Sequence, residues 1–245
     1  MRKTLAAFDF DHTIIDDNSD TAAVSLVGKN NIPQEVKDLQ YRAGWTSFMQ
    51  GIFNLLFEQG VNENTIKELV ENLPLVTGMF NLIKELKKTG SYDIIIISDC
   101  NSYFIKTYLQ KHNLANDVMK IFTNPAKFVN GKLIISPYHD QTSCKLSTRN
   151  LCKGQILEEF VNEQQKKAVV YDRIVYVGDG VNDFCPTLRL SKNDVICARN
   201  KYKLHDLILK AQAGKSFDNS GMVHNIKADI VVWDDGDDIL QKIKK

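Results

Sequence analysis

An α/β fold built on an open sheet of buried strands is what this sequence predicts, and three observations predict it. Short, predominantly apolar runs at residues 5–8, 92–97 and 173–177 read as strands covered on both faces. Between them the apolar residues recur at helical spacing. Each run also closes on a small polar or acidic residue, Asp9, Ser98 or Asp179. In an open α/β sheet, ligands sit just beyond the carboxyl ends of the strands.

Taken in order, the first strand occupies residues 5–8, and from Thr13 the pattern turns helical and stays so until about Lys88. The clearest helix takes Thr46 as its N-cap, sets Phe48, Ile52, Leu55 and Leu56 on one face and stops at Gly60. A second spans 64–73 and ends at Pro74. Met79, Leu82, Ile83 and Leu86 stripe a third, which returns the chain to the sheet. A purely helical insert between the first two strands predicts a cap, residues 17–77, over a core made of 1–16 and 78–245. Such a cap excludes water and selects the substrate.

The second strand is expected to end at Ser98-Asp99, a helix to start near Ser102, and residues 121–122 to form a short third strand. Asn130-Gly131, centred in 128–135, is the strongest hairpin signal. Residues 136–150 are polar and irregular, which suits a loop at a site. Lys153 opens a helix whose Ile156, Leu157 and Phe160 share a face. Strands at 195–197 and 230–232 and a terminal helix at 239–243 complete the reading.

The chain has 245 residues, 43% of them hydrophobic and 25% charged, with a net charge of +1. It is long enough for one domain plus an insertion, and its balance gives no reason to expect a nucleic-acid or membrane partner. Five cysteines without a C-x-x-C pair, no leader-like start and no apolar run near the ~20 residues of a membrane span predict a cytoplasmic protein with reduced thiols. Cys144, Cys152 and His139 lack tetrahedral-site spacing, so the loop is not expected to hold zinc.

Asp9 and Asp11, two residues apart behind the first strand, suit phosphoryl transfer through an aspartyl-phosphate. One carboxylate attacks phosphorus; the other protonates the leaving oxygen and later accepts a proton from water. Because carboxylate and phosphate repel, the chemistry needs a basic side chain and a divalent cation. Ser98 can donate a hydrogen bond to a phosphate oxygen, and Lys153 at a helix start adds positive charge. Asp179 and Asp183, flanked by glycines, add hard oxygen ligands of the kind Mg2+ prefers.

These four motifs, Asp9-Phe10-Asp11-His12-Thr13, Ser98, Lys153 and Gly178-Asp179-Gly180-Val181-Asn182-Asp183, resemble those of the haloacid dehalogenase superfamily of phosphohydrolases. The stretches 13–20, 97–101, 123–125, 150–153 and 177–186 look more narrowly like the phosphoethanolamine/phosphocholine phosphatases and their pyridoxal phosphate phosphatase relatives. The resemblance implies a Rossmann-like parallel sheet core with a small helical cap inserted after the first strand. It implies Asp9 as nucleophile and metal ligand, Asp11 as proton donor and as ligand through its backbone carbonyl, and Asp179 as the third protein ligand of Mg2+. Asp20 and Asp99 match the family's substrate-contacting aspartates. The chain departs from the family pattern at Ser147-Thr148, where a Cys-Pro pair is common, and around 198–202.

The function expected is therefore Mg2+-dependent hydrolysis of a small, amine-bearing phosphomonoester such as phosphoethanolamine, phosphocholine or pyridoxal 5'-phosphate. Carboxylates at 20 and 99 would face the cationic end, with Tyr41, Trp45 and Phe48 offering an aromatic surface. Asp20 as a helix cap and Asp99 as a solvated turn residue are the structural alternatives. A phosphoserine phosphatase would need a cap cation, for which Arg42 is available, and a catalytically silent phosphate-binding module is the remaining alternative.

Overall fold

The computed structural model describes residues 3–216 and 221–244; residues 1 and 245, the outer limits expected for the core, lie outside the described residues. Strands β1 (Lys3–Phe8), β2 (Tyr92–Asn101), β3 (Lys120–Asn124), β6 (Tyr171–Gly178), β7 (Val195–Arg199) and β8 (Asp229–Trp233) form one six-stranded sheet in the order β3-β2-β1-β6-β7-β8. Every pairing in it is parallel. β4 (Ala126–Val129) and β5 (Lys132–Ile135) form the separate antiparallel hairpin, turning at Asn130 and Gly131 with φ of 51° and 81°. Positive φ at both turn residues is what an Asn-Gly pair accommodates.

The apolar runs are continuous because both faces of the sheet are covered. Ala6, Phe8, Ile94 and Ile96 belong to one apolar cluster, and their neighbours Leu5, Ala7, Ile95 and Ile97 to the other. Helices α7 (Lys153–Lys166), α8 (Phe184–Thr187) and α9 (Lys203–Gln212) pack on the second face through Ile156, Phe160, Phe184, Leu204 and Leu207. On the first face lie α5 (Met79–Lys88), α6 (Ser102–Lys111) and α10 (Gly236–Ile243). Met79, Leu82, Ile83 and Leu86 of α5 are all buried there, and each such side chain contributes roughly 1.5–3 kcal/mol.

Between β1 and β2 the chain is helical: α1 (Ser19–Val27), α2 (Gln34–Arg42), α3 (Trp45–Glu58) and α4 (Glu63–Glu71) precede α5. Phe48, Met49, Ile52 and Phe53 of α3 join the same apolar cluster as Ala6 and Phe8, so the insert shares the core's first face. Thr46 is not the N-cap of α3. The chain turns at Gly44, with φ 88°, and the helix starts at Trp45, which puts Thr46 inside the first turn. α4 starts at Glu63, capped by Asn62, whose side chain accepts from Thr65 N at 3.1 Å, and it ends at Glu71. β2 also runs beyond its expected end. After a register shift, Asn101 pairs with Asn124, and its side chain caps α6 by accepting from Phe104 N at 3.0 Å.

The consequence for function is positional. Chain order reverses at β1, which has β2 on one side and β6 on the other, and the carboxyl ends of these three strands lie side by side at that switch point, where open α/β sheets bind ligands.

Candidate active site

Asp9 follows β1 directly and is anchored at both oxygens. Its Oδ1 accepts from Phe10 N at 2.7 Å, and its Oδ2 pairs with Lys153 Nζ at 2.6 Å. Lys153, the first residue of α7, is fully buried and also pairs with Asp183 Oδ1 at 2.8 Å. Burial alone would depress this ammonium, but Asp183 and Asp9 outweigh it and hold the pKa well above that of an ordinary lysine. Burial pushes the Asp9 carboxyl up to about 7 against the pull of Lys153, and Asp183 adds to the rise.

Asp179 leaves the end of β6 and, by burial and then the neighbouring Asp9 and Asp183, is raised to about 8. One oxygen each from Asp9, Asp179 and Asp183 lie within 4.8 Å of one another. Asp183, however, has its acceptors filled: Oδ1 takes Lys153 Nζ and Tyr176 Oη (2.7 Å), and Oδ2 takes the N–H groups of Asp179 (3.0 Å) and Gly180 (2.9 Å). It holds the loop after β6 together. A Cβ on Gly178 would lie 2.4 Å from Asp183 Cγ, so glycine is what lets this carboxylate tuck under the strand end.

Asp11 is placed differently. Its Oδ1 accepts from Ser19 N at 2.8 Å, and burial, reinforced by Asp20, raises its pKa well above the ordinary carboxylate value. A carboxyl whose proton is favoured by burial in this way is suited to donating it. Ser98 is fully buried at the end of the apolar part of β2, its Oγ accepting from Cys100 N at 3.3 Å.

Asp20 is not the cap of α1; Asn18 is, accepting from Thr21 N at 2.9 Å. Asp20 Oδ2 instead accepts from Trp45 Nε1 at 2.7 Å, while its Oδ1 is buried with no partner. Burial pushes this carboxyl up to about 7. Trp45 packs on Phe48 with ring centroids 5.0 Å apart, whereas Tyr41 is 82% exposed and stands outside the pair. Asp99 borders a cavity of ≈ 490 Å³ walled by Lys145, Thr148, Val181 and Asn182. Its backbone carbonyl, accepting from Asn124 Nδ2 at 2.6 Å, ties it to β3.

Two groups escaped the motif reading. Asp183 was legible as a carboxylate but not as the acceptor of four donors. Arg199, at the end of β7, donates to His12 O at 2.7 Å and pairs with Asp16 at 2.6 Å, closing the loop that carries Asp9 and Asp11. His12 takes a left-handed φ of 52° in that loop. Only the unusual 198–202 segment marked the place of Arg199 in the sequence.

Asp9 and Asp183 thus pair with one buried ammonium, and the buried carboxylates of Asp179 and Asp11 lie close enough to Asp9 for its charge to raise their pKa. Asp179 makes no side-chain hydrogen bond or ion pair among the described residues, and the unspent negative charge and hard oxygens fit a divalent cation. A parallel sheet ending in a carboxylate–lysine cluster at its switch point defines a phosphatase of the haloacid dehalogenase type. The chain belongs to the Putative Phosphatase family, whose profile matches residues 4–245. It is 40% identical to the mouse (Mus musculus) pyridoxal phosphate phosphatase PHOSPHO2, over 99% of this chain and 98% of that one. It is 33% identical to the human (Homo sapiens) phosphoethanolamine/phosphocholine phosphatase, over 98% and 89%. A solved phosphoserine phosphatase carrying a phospho-aspartyl intermediate analogue shares the fold, with a TM-score of 0.61 and 20% identity over 99% of each chain. Among the described residues, no helix is long and apolar enough to cross a membrane.

Proposed function

We propose that the chain is a cytoplasmic, Mg2+-dependent phosphomonoesterase that works through an aspartyl-phosphate on Asp9 and acts on a small ester with a cationic end. The observation that carries the reading is Asp9, fixed between Phe10 N–H and Lys153 at the end of β1. One Asp9 oxygen attacks phosphorus as the ester P–O bond breaks, and Asp11 gives its proton to the departing oxygen. Water then loses a proton to Asp11 and attacks phosphorus, and the acyl-phosphate bond breaks to return Asp9 and release phosphate. Lys153 and the Ser98 hydroxyl hold equatorial phosphate oxygens. Asp9, Asp179 and the backbone carbonyl of Asp11 would hold Mg2+, which when bound neutralises charge between carboxylate and phosphate. The five unpaired cysteines support the cytoplasmic assignment.

The test is release of phosphate from an aryl phosphate with and without metal. Activity is expected to vanish with chelator and to return with Mg2+. Full turnover in chelated protein, or restoration by zinc and not by Mg2+, would remove this metal chemistry.

Residues 17–77 are the proposed cap, and substrate choice is assigned to Asp20 and Asp99. The buried, half-satisfied carboxylate of Asp20 beside the Trp45–Phe48 pair supports an ammonium or a cationic ring as the recognised end. PHOSPHO2 and phosphoethanolamine/phosphocholine phosphatase bear names of such substrates, and the greater identity to PHOSPHO2 puts pyridoxal 5'-phosphate in the first panel. The phosphoserine alternative loses its cation, because Arg42 is exposed on α2 and pairs with Asp38 at 3.5 Å. The silent-module alternative leaves the Asp9–Lys153 pair without a use.

Asp20→Asn and Asp99→Asn are expected to raise KM for amine-bearing esters by about 1.5–3 kcal/mol per lost charged contact and to leave an uncharged aryl phosphate little changed. Equal losses on both substrates would make the two residues scaffold. Asp20→Asn has a second readout. With its folded pKa raised to about 7, ionised Asp20 costs nothing well below pH 4 and its full amount above pH 7. The variant should therefore gain on the order of 1–3 kcal/mol of stability over wild type at pH 8 and nothing at pH 4. A pH-independent difference in denaturant midpoint would contradict the assignment of Asp20 as a carboxylate buried at a cost to the fold.

A further inference from the structure

Three of the five cysteines converge from separate segments. Cys144 lies in the loop after β5, Cys152 immediately precedes α7, and Cys185 is in α8. Their Sγ atoms fall within 4.8 Å of one another, with Cys144–Cys185 at 3.4 Å and Cys152–Cys185 at 3.7 Å. Ser147 Oγ stands 3.5 Å from Cys144 Sγ and 3.3 Å from Cys152 Sγ.

Those separations match a tetrahedron around a metal. With Zn–S bonds of about 2.3 Å and a Zn–O bond of about 2.0 Å, neighbouring sulfurs lie roughly 3.8 Å apart and each sulfur roughly 3.5 Å from the oxygen. We propose that Cys144, Cys152, Cys185 and the Ser147 hydroxyl form a zinc site, separate from the carboxylate site. On binding, each thiol releases its proton to solvent and three Zn–S bonds form. Three thiolates and one dication leave a single negative charge. The Arg189 guanidinium, 4.0 Å from Cys152 Sγ, and the N-terminus of α7 offset it.

Linear spacing hides this set because the third sulfur comes 33 residues after Cys152. His139, whose spacing to Cys144 and Cys152 gives no tetrahedral set, is used elsewhere: its Nε2 accepts from Cys152 N at 2.9 Å. A Cβ on Gly154 would lie 2.7 Å from Cys185 Sγ, so a glycine is needed for α7 to begin this close to α8. The site acts by positioning. Cys152 adjoins Lys153, Cys185 follows Asp183 by two residues, and the Cys144 loop walls the cavity beside Asp99. A metal here ties together three segments that frame the phosphate site without touching substrate.

Full-length protein purified under reducing conditions from zinc-supplemented cells is expected to contain about one zinc per chain by elemental analysis, released when a mercurial reagent titrates the thiols. Cobalt in its place should give a thiolate-to-metal charge-transfer band. Cys144→Ser and Cys185→Ser should lose both metal and band, while Cys197→Ala, outside the thiol group and on the sheet's first face, keeps both. Since a buried cysteine variant can fail to fold, Ser147→Cys supplies the opposite arm: with a fourth sulfur it should hold zinc against a chelator at least roughly tenfold more tightly. Zinc-free reduced protein, zinc retained in folded Cys185→Ser, or a Ser147→Cys protein no tighter than its parent would overturn the proposal.

Discussion

Asp9→Asn protein is expected to fold and to turn over no substrate, with phosphate release at least roughly ten-thousand-fold below wild type. The amide is nearly the shape of the carboxylate but cannot attack phosphorus. Its effect on the fold is small for a specific reason. Asp9 is ionised at a cost, its pKa pushed up to about 7 by burial, so neutralising it removes a desolvation penalty. Against that gain, one donor is left facing the amide NH2, because Phe10 N–H and Lys153 Nζ approach different oxygens. Lys153 keeps Asp183 at 2.8 Å, so no buried ammonium is stranded. The net change in stability should stay within about 1 kcal/mol. Beryllium fluoride, which resembles the phosphoryl group on aspartate, should inhibit wild type and leave no complex with the variant. A folded Asp9→Asn enzyme retaining near wild-type turnover would show that phosphate is not transferred to this side chain.

The sheet and most of the site were legible because the informative residues adjoin strong local signals. Residues 5–8 and 94–97 are apolar at every position since alternate side chains enter two different clusters, and Asp9 and Ser98 sit where those runs stop, as Asp179 does just beyond 173–177. Lys153 was legible as a helix start. Local rules failed where the deciding partner was distant or the choice was nearly balanced. Thr46 is a good cap residue, but Gly44 supplies the positive φ that the turn into α3 adopts. Ser98-Asp99 looked like a strand end because polarity begins there, although β3 continues the pairing to Asn101. α9 carries Leu204, Leu207 and Ile208 at helical spacing, a weaker local signal than the strands on either side of it. Arg199 reaches His12 from 187 residues away, which no window along the chain can contain.

Asp179 and Asp183, four residues apart and both buried, should respond in opposite ways to removal, and this contrast separates a carboxylate kept for a ligand from one that holds the fold. Asp183→Ala leaves Tyr176 Oη, two backbone N–H groups and one side of Lys153 without their acceptor. Breaking a buried ion pair by deleting one partner costs roughly 3–5 kcal/mol, which for a domain of this size lowers Tm by on the order of 10 °C. Asp183→Asn keeps one acceptor oxygen and should lose less. Asp179→Ala removes a carboxylate raised to about 8 by burial and by Asp9 and Asp183, with no side-chain partner lost among the described residues. Its Tm without metal should be unchanged or higher. The stabilisation that wild type gains from added Mg2+ should disappear in it, together with activity. Thermal melts of the three variants with and without Mg2+ test both halves. Equal Tm losses in Asp179→Ala and Asp183→Ala would mean that both carboxylates serve the fold, and undiminished Mg2+ stabilisation in Asp179→Ala would remove that residue from the metal site.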